Sequence, residues 1–200
     1  MAHRLRGRIA LVVEADADLA AAFAADGACV LLGGGVGEVH GPSAAIVALD
    51  PTDPDAWRAA VRTCVDRFGA PPDLLVTAAP PTPASPPTVE ALRTAYDGGV
   101  VALLNGLQAV APGMRAADRG AVVAITGSVS GPCPARVAAA ATVALVKCAA
   151  LDLGRTHIRV NAVEPGSAPP ESVVRTALFL ASDESSWITG TAVSAGHARD

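Results

Sequence analysis

Residues 120–163 form the stretch of sequence that decides the fold. It opens with Gly-Ala-Val-Val-Ala-Ile at 120–125 and closes with Ile-Arg-Val-Asn-Ala-Val at 158–163. Both are short apolar runs with β-branched residues, which are typical of strands. Between them, residues 135–153 form a long apolar stretch that predicts a helix. A strand, a helix and a second strand in this order predict two parallel strands joined by a helical crossover.

The same alternation continues on both sides of this unit. Because continuous apolar strands that alternate with helices must be covered on both faces, the pattern predicts an α/β fold with a doubly wound parallel sheet of about seven strands. Nothing marks a second domain, so residues 1–200 are expected to form a single domain. Further strands are predicted at 9–13, 29–32, 45–49, 73–77 and near 191–194, and further helices at 18–26, 54–68, 89–114 and 170–181.

Composition and charge limit the possible partners. The chain has 200 residues, of which 51% are hydrophobic, and its 15 basic and 19 acidic residues give a formal charge of −4. This balance excludes a generally basic surface for nucleic acid. Only 3% of the residues are aromatic, which leaves few platforms for stacked bases. We therefore expect no nucleic-acid partner.

Neither a membrane span nor a metal site is expected. The most apolar stretch, residues 137–153, is short for a bilayer and contains Lys147 and Asp152. The apolar run at 9–13 is too short for a signal peptide, which predicts a cytoplasmic protein. Scattered cysteines without a CxxC pair predict buried, reduced thiols, and the histidines show no ligand spacing. These residues are Cys29, Cys64, Cys133 and Cys148, and His3, His40, His157 and His197.

Two predicted helical stretches, 138–153 and 100–111, are apolar on nearly every side. In the first, the polar residues Thr142, Lys147 and Asp152 point in three different directions, so no solvated face remains. One side of such a helix packs on the sheet and the other needs cover, which favours contact with a partner subunit. An alanine-rich surface helix is the alternative.

Five segments spread over nearly the whole chain match one family pattern. They are LRGRIALV at 5–12, LDPTD at 49–53, GAVVAITGSVSG at 120–131, IRVNAVEPG at 158–166 and LFLASDESSWITG at 178–190. In this order they resemble the short-chain dehydrogenase/reductase family, and the last two are specific to it. The resemblance implies a Rossmann-like seven-stranded parallel sheet, NAD(P)-dependent oxidoreductase activity, and assembly into dimers or tetramers.

The turn after the first strand departs from the family. Members hold the pyrophosphate of a dinucleotide with Thr-Gly-x-x-x-Gly-x-Gly, whose glycines let backbone amides approach the phosphates. Glu14, Asp18 and Ala20 stand in place of the three glycines, and Asp16 adds a further carboxylate. One like-charge pair at ~5 Å in an effective dielectric of ~20 costs ~3 kcal/mol, so the turn is expected to repel a pyrophosphate. These acids also suit the start of a helix. Asp50 matches the family's adenine-contacting Asp and is a weak retained candidate.

The family's catalytic residues are also replaced. Its acid/base pair, Tyr-x-x-x-Lys, falls on Ala135 and Ala139, and its catalytic Asn falls on Gly99. Ser128 alone is retained, and a serine without a base is not activated as a nucleophile. The single tyrosine and the single lysine of the chain are too far apart in sequence to form the pair.

Shorter loops complete the departure from the family. Little of the usual substrate lid remains between residues 166 and 171, so a shortened lid is expected. A glycine run at 33–37 stands where the family has its second helix. A shortening turn explains this run, and a phosphate-binding loop is the alternative.

These departures favour a non-catalytic subunit. We expect it to bind no cofactor and to pair with a catalytically intact relative in a heteromeric complex, through the helices around 93–113 and 138–153. The alternative is an NAD(P)-dependent oxidoreductase with an atypical site, in which Asp50, Ser128 and the Pro165-Gly166 turn hold the nucleotide. A third candidate is a small-molecule sensor that forms a homo-oligomer.

Overall fold

The computed structural model describes residues 3–34, 43–82, 87–128, 131–167 and 169–196. The strands are β1 (Ile9–Val13), β2 (Cys29–Gly33), β3 (Ala44–Val47), β4 (Leu74–Ala78), β5 (Gly120–Ile125), β6 (Ile158–Glu164) and β7 (Ala192–Ser194). The helices are α1 (Ala17–Ala25), α2 (Pro54–Phe68), α3 (Val89–Tyr96), α4 (Ala102–Ala116), α5 (Cys133–Asp152) and α6 (Pro170–Ala181). A π-helical turn lies at Asp97–Val101 and a 3-10 turn at Asp183–Ser185.

The seven strands join one parallel sheet in the order β3-β2-β1-β4-β5-β6-β7. This confirms the predicted α/β fold with a doubly wound, Rossmann-like sheet, whereas the boundaries at residues 1 and 200 stay a prediction. The chain adds strands on one side of β1 and then on the other, so the strand order reverses between β1 and β4. In open parallel sheets, ligands bind outside the carboxyl ends of the strands at such a reversal.

Helices cover both faces of the sheet, and each face has its own apolar core. On one face, α2, α4 and α5 contribute Trp57, Leu103 and Val146, whose side chains are fully buried. On the other face, α1 and α6 contribute Phe23 and Leu180, which are also fully buried. Because the strands are covered on both faces, their sequences are continuous apolar runs.

The helical region predicted over 89–114 contains a π-helical turn. The π-helical turn at Asp97–Val101, which contains Gly98 and Gly99, separates α3 from α4. A Cβ atom at Gly98 would lie 2.5 Å from Pro80 Cγ, so only a glycine lets the turn pass this proline without displacing it. The predicted helical region is therefore confirmed, with a π-helical turn inside it that the sequence pattern did not indicate.

Helix α5 is long and apolar enough to cross a membrane by length and composition. It is nevertheless a core helix of this fold, since Val146 and Ala150 pack in the core beside the sheet. Its outer face is open: Val137 is 47% exposed and Leu151 is 82% exposed. The inner side of this helix is buried as expected. Its outer side is exposed in the single chain, although the sequence predicts no solvated face.

Cysteines and histidines form no metal centre among the described residues, where no group of three His, Cys, Asp or Glu side chains could hold an ion. His40 and His197 lie outside those residues. The four cysteines are free thiols, and Cys64 is buried. Cys133 and Cys148 are exposed on α5, so the prediction that the thiols are buried was wrong for these two.

Candidate functional site

A cleft of about 470 Å³ opens at the carboxyl end of the sheet, where the strand order reverses. Its walls come from the segment after β1, the ends of β4 and β5, and the start of α6. Most of its lining is apolar, and its carboxylates come from the segment after β1. The lining residues are Glu14, Ala15, Asp16, Leu19, Gly34, Ala78, Ala79, Pro81, Ile125, Pro165, Pro170, Val173 and Val174.

Glu14 directly follows β1 and has a left-handed backbone, with a φ of +58°. Residues with a side chain rarely adopt this conformation, whereas glycine adopts it readily. The sequence analysis predicts that position 14 corresponds to the first glycine of the family turn. The backbone that suits a glycine is therefore present, but a carboxylate side chain is attached to it.

The Glu14 side chain lies over Gly34, which follows β2. A Cβ atom at Gly34 would lie 2.5 Å from Glu14 Oε1 and 2.9 Å from the carbonyl oxygen of Leu49. Burial raises the pKa of the Glu14 carboxyl above its ordinary value, and the charge of Asp50 raises it further. The negative charges of Glu14 and Asp50 therefore lie close enough to repel each other at this end of the cleft.

Asp50 is exposed, and residues of its own loop hold its carboxylate. The hydroxyl and the amide of Thr52 donate to Asp50 Oδ1 at 2.7 and 2.8 Å. These hydrogen bonds keep the pKa of Asp50 below its ordinary value. Asp50 does not line the cleft itself, so the predicted adenine contact lies near Glu14 but outside the cavity.

The other replaced residues of this segment have different places. Asp16 lines the cleft and caps α1, because the Leu19 amide donates to Asp16 Oδ1 at 2.8 Å. Asp18 is exposed in the first turn of α1 and does not line the cleft. Ala20 is fully buried in the core beside α1. The sequence predicts carboxylates of Glu14, Asp16 and Asp18 near the cofactor position, but only Glu14 and Asp16 line the cleft. Asp18 does not, because the first turn of α1 directs it towards solvent.

The positions predicted for the catalytic set do come together. Gly99 in the π-helical turn, and Ala135 and Ala139 on α5, line one small space. Its volume is about 10 Å³, which is room for about one water molecule. Thr142 lines it too and donates its hydroxyl to the Ala138 carbonyl at 2.9 Å. None of the described residues that line it has a side chain that titrates near neutral pH.

Ser128, the retained member of the catalytic set, follows β5, and its carbonyl accepts a hydrogen bond from the Gly131 amide at 3.0 Å. Candidate acid/base groups lie elsewhere. Tyr96 on α3 and Lys147 on α5 are exposed, and neither lines the small space. His157 precedes β6 at the opposite end of the sheet, where its Nδ1 lies 2.9 Å from Asp118.

A groove of about 350 Å³ lies between α4 and α5 on the outer surface. Its apolar lining includes Leu104, Leu107 and Leu145, and its charged lining consists of Arg115 and Asp152. These helices belong to the two regions, around 93–113 and 138–153, that the sequence predicts as partner contacts. The structure places them side by side.

Sequence reasoning missed the wall that α6 gives to the cleft. Val173 and Val174, in the first half of α6, line the cavity. Because the connection from the Pro165-Gly166 turn to Pro170 is short, the start of α6 must stay near the carboxyl end of β6. The shortened lid was therefore the signal that could have identified this wall.

Comparison with known proteins identifies the family. The family model described as short chain dehydrogenase matches residues 12–177. The chain belongs to the short-chain dehydrogenase family. This match confirms the family resemblance of the sequence. Enzymes of this family are NAD(P)-dependent oxidoreductases.

Relatives of this short-chain dehydrogenase chain are named for different substrates. The 2,5-dichloro-2,5-cyclohexadiene-1,4-diol dehydrogenase LinX of Sphingobium indicum is 29% identical, and the match covers 95% of each chain. The 3-alpha-(or 20-beta)-hydroxysteroid dehydrogenase of Mycobacterium bovis is 33% identical, over 95% of this chain and 88% of its own. The alignment with LinX runs over 237 positions against 200 residues here, so segments of that relative have no counterpart in this chain.

Solved structures of short-chain dehydrogenases share the fold. A short chain dehydrogenase from Mycobacterium smegmatis superimposes with a TM-score of 0.86 at 26% identity, over 99% of this chain and 95% of the other. A hydroxysteroid dehydrogenase from Escherichia coli gives a TM-score of 0.83 at 24% identity, over 98% of each chain. The architecture is thus retained across a low level of sequence identity.

The residues of the cleft do not fit the dinucleotide that the family binds. A diphosphate needs backbone amides or basic side chains at close range. Asp16 already caps α1, the Glu14 carboxylate occupies the space over Gly34, and no Lys, Arg or His is among the described residues that line the cleft. An anion would face two carboxylates there instead of donors.

Proposed function

We propose that this short-chain dehydrogenase chain is a non-catalytic subunit that pairs with a catalytically intact relative. The observation that carries the proposal is the space of about 10 Å³ in which Gly99, Ala135 and Ala139 meet. Hydride transfer to or from a carbonyl carbon requires an acid/base group within hydrogen-bonding distance of the oxygen. The described residues that line this space supply no such group, and the space itself is too small for a substrate.

The residues of the cleft support the same proposal, because they do not suit the binding of a cofactor. Glu14 and Asp16 provide acceptors at the place where a diphosphate needs donors. Repulsion of an anion by one carboxylate at ~5 Å is ~3 kcal/mol in an effective dielectric of ~20, which corresponds to more than a hundredfold in affinity. We therefore propose that the isolated chain binds neither NADH nor NADPH at micromolar concentrations.

The partner surface of the proposal is the outer face of α4 and α5. Leu104, which lines the groove between the two helices, is 42% exposed, and Val137 and Leu151 on α5 are 47% and 82% exposed. Exposed apolar patches of this kind mark protein interaction sites. Burial of apolar surface needs no active site in either partner. A partner with a closely related α4–α5 face would cover this surface and supply the chemistry, in the cytoplasm.

Calorimetric titration of the isolated chain with NADH and with NADPH tests the non-catalytic part. We expect no binding heat at micromolar concentrations, and no turnover. A catalytically intact relative that is titrated under the same conditions gives the positive control. Micromolar binding of either nucleotide, or turnover by the isolated chain, would refute the proposal.

Native purification followed by mass spectrometry tests the partner. We expect an intact short-chain dehydrogenase to co-purify, and Ala144→Glu on the exposed face of α5 to release it on a sizing column. Ala21→Glu, at an exposed alanine of α1, is the matched control and should leave the complex assembled. A stable homo-oligomer without a relative would contradict the heteromeric assignment.

An NAD(P)-dependent oxidoreductase with an atypical site is the second candidate. The comparisons favour it over a non-catalytic role, because the two curated relatives described above are named as dehydrogenases and the family model is that of an enzyme. In that case Asp50, Ser128 and the Pro165-Gly166 turn would have to hold the nucleotide. The same titration separates the two candidates, since this one requires binding.

A further inference from the structure

The cleft of about 470 Å³ has the size and lining of a small-molecule site. Sites for small ligands occupy about 300–1,000 Å³ and combine mostly apolar walls with a few polar groups. Leu19, Ile125, Val173 and Val174 provide apolar walls here. The cleft also lies where the strand order of the sheet reverses, the usual place for a ligand in this architecture.

Glu14 is the polar group that distinguishes this cleft. Its carboxylate is partly desolvated, and no hydrogen-bond donor among the described residues engages it. Asp16 lines the same cavity and the Asp50 charge acts on Glu14, whereas no basic residue is among the described lining residues. The cleft therefore offers a partly buried, negatively charged hydrogen-bond acceptor. No basic side chain among the described lining residues pairs with it.

We propose that this cleft binds a small organic ammonium ion, an alkylamine or arylalkylamine, with its ammonium group on the Glu14 carboxylate and its hydrocarbon part against Leu19, Val173 and Val174. The inference rests on the proposed function in one respect, namely that no dinucleotide fills the cleft. A bare metal ion fits less well, because no described group of three His, Cys, Asp or Glu residues could hold one. Apolar walls also give a hydrated metal ion nothing to contact.

Titration of the full chain with n-hexylammonium chloride at neutral pH tests the inference. The matched probes are 1-hexanol, which has the same tail without a charge, and sodium hexanoate, which reverses the charge. We expect the ammonium ion to bind at least tenfold more tightly than the alcohol, and hexanoate not to bind. Glu14→Gln should weaken ammonium binding at least tenfold, because it removes the charge and keeps the size of the side chain.

Two further variants keep the test specific. Asp18→Asn removes an acidic group four residues along the chain that does not line the cleft, so binding should stay unchanged. Val174→Arg places a bulky cation inside the cleft and should abolish binding. Melting temperatures of all variants show that they are folded before titration.

Equal affinity of hexylammonium and hexanol, absence of ammonium binding, or equal losses in Glu14→Gln and Asp18→Asn would overturn the inference. These results would leave the non-catalytic proposal intact if NADH and NADPH also fail to bind. Micromolar NADH binding would instead refute the non-catalytic proposal itself. The two failures are therefore distinguishable in one set of titrations.

Discussion

The two ends of the parallel sheet differ in how polar side chains are used. At the amino-terminal end, Arg8 donates to Asp73 at 2.7 Å, and both side chains are buried. Arg159, also buried, donates to the carbonyls of Leu180 and Ser182 at 2.8 and 2.9 Å. At the carboxyl end, the positions predicted to match the family's chemistry hold alanine, glycine or an acid, apart from Ser128. In this chain, the buried charged side chains that tie the strands together thus lie at one end of the sheet, and the candidate site lies at the other.

The largest effect is expected from breaking the amino-terminal end. Asp73→Ala removes the buried partner of Arg8, which then keeps only the exposed Asp183 among its described carboxylate partners, and it also removes the partner of Arg119. The Ile9 amide, which donates to Asp73 Oδ1 at 2.8 Å, loses its acceptor as well. Loss of one partner of a buried ion pair costs about 3–5 kcal/mol, because the other charge stays buried. Urea unfolding followed by circular dichroism measures the loss.

The control for this prediction is Asp118→Asn, at the same end of the sheet. Asp118 is exposed and has a φ of +49°, a conformation that asparagine tolerates. Its change should stay within about 0.5 kcal/mol. A loss below about 1 kcal/mol for Asp73→Ala would show that the ion pair does not hold the scaffold.

A second effect comes from returning the catalytic pair to the carboxyl end. Ala135→Tyr and Ala139→Lys place large side chains where only about 10 Å³ is open, so each should cost about 1–3 kcal/mol by overpacking. We expect no turnover with NADH, because Glu14 and Asp16 still line the cleft where the diphosphate is proposed to be repelled. Ala21→Lys, at an exposed helical alanine, should stay within about 0.5 kcal/mol. Turnover by the double variant would mean that the cofactor site is functional.

A smaller effect is expected from Glu14→Gly, which restores the glycine that the turn conformation favours. A side chain in the left-handed region costs about 1–2 kcal/mol, of which the greater flexibility of glycine in the unfolded chain offsets part. A gain of about 1 kcal/mol, or a rise in Tm of about 2–4 °C, is expected. Unchanged or lower stability would show that the backbone at position 14 is not strained.

The smallest effect concerns the charge of Glu14 alone. Because the pKa of this carboxyl is raised on folding, the ionised form disfavours the folded state, and that penalty is complete only above the raised pKa. Glu14→Gln should therefore melt slightly higher than the unaltered chain at pH 7. The difference should shrink as the pH falls through the raised pKa towards the ordinary value of 4.5. A difference that grows at low pH would contradict the assignment.

Local signals in the sequence were sufficient for most elements. Helix α2 begins and ends where it was predicted, because Asp53 accepts from the Asp55 amide at 2.8 Å, Pro54 opens the helix, and Gly69 closes it with a φ of +85°. Such caps act between neighbours in the chain, so sequence alone specifies them. The order of apolar strands and helices specified the sheet in the same way.

The candidate site was predictable in its residues but not in its shape. The alignment with the family identified Glu14, Ala135 and Ala139, and the structure places the two alanines with Gly99 around one space. The exposure of Asp18 and the wall from α6 depend on how helices are rotated against the sheet. Rotation is decided by packing between distant residues, which no local pattern encodes.

The left-handed turn at Glu14 has a consequence for engineering. At position 14 the main chain already has the left-handed conformation that glycine adopts readily, so a glycine there requires no change of backbone. A designer who wishes to restore coenzyme affinity can therefore exchange side chains and leave the loop length untouched.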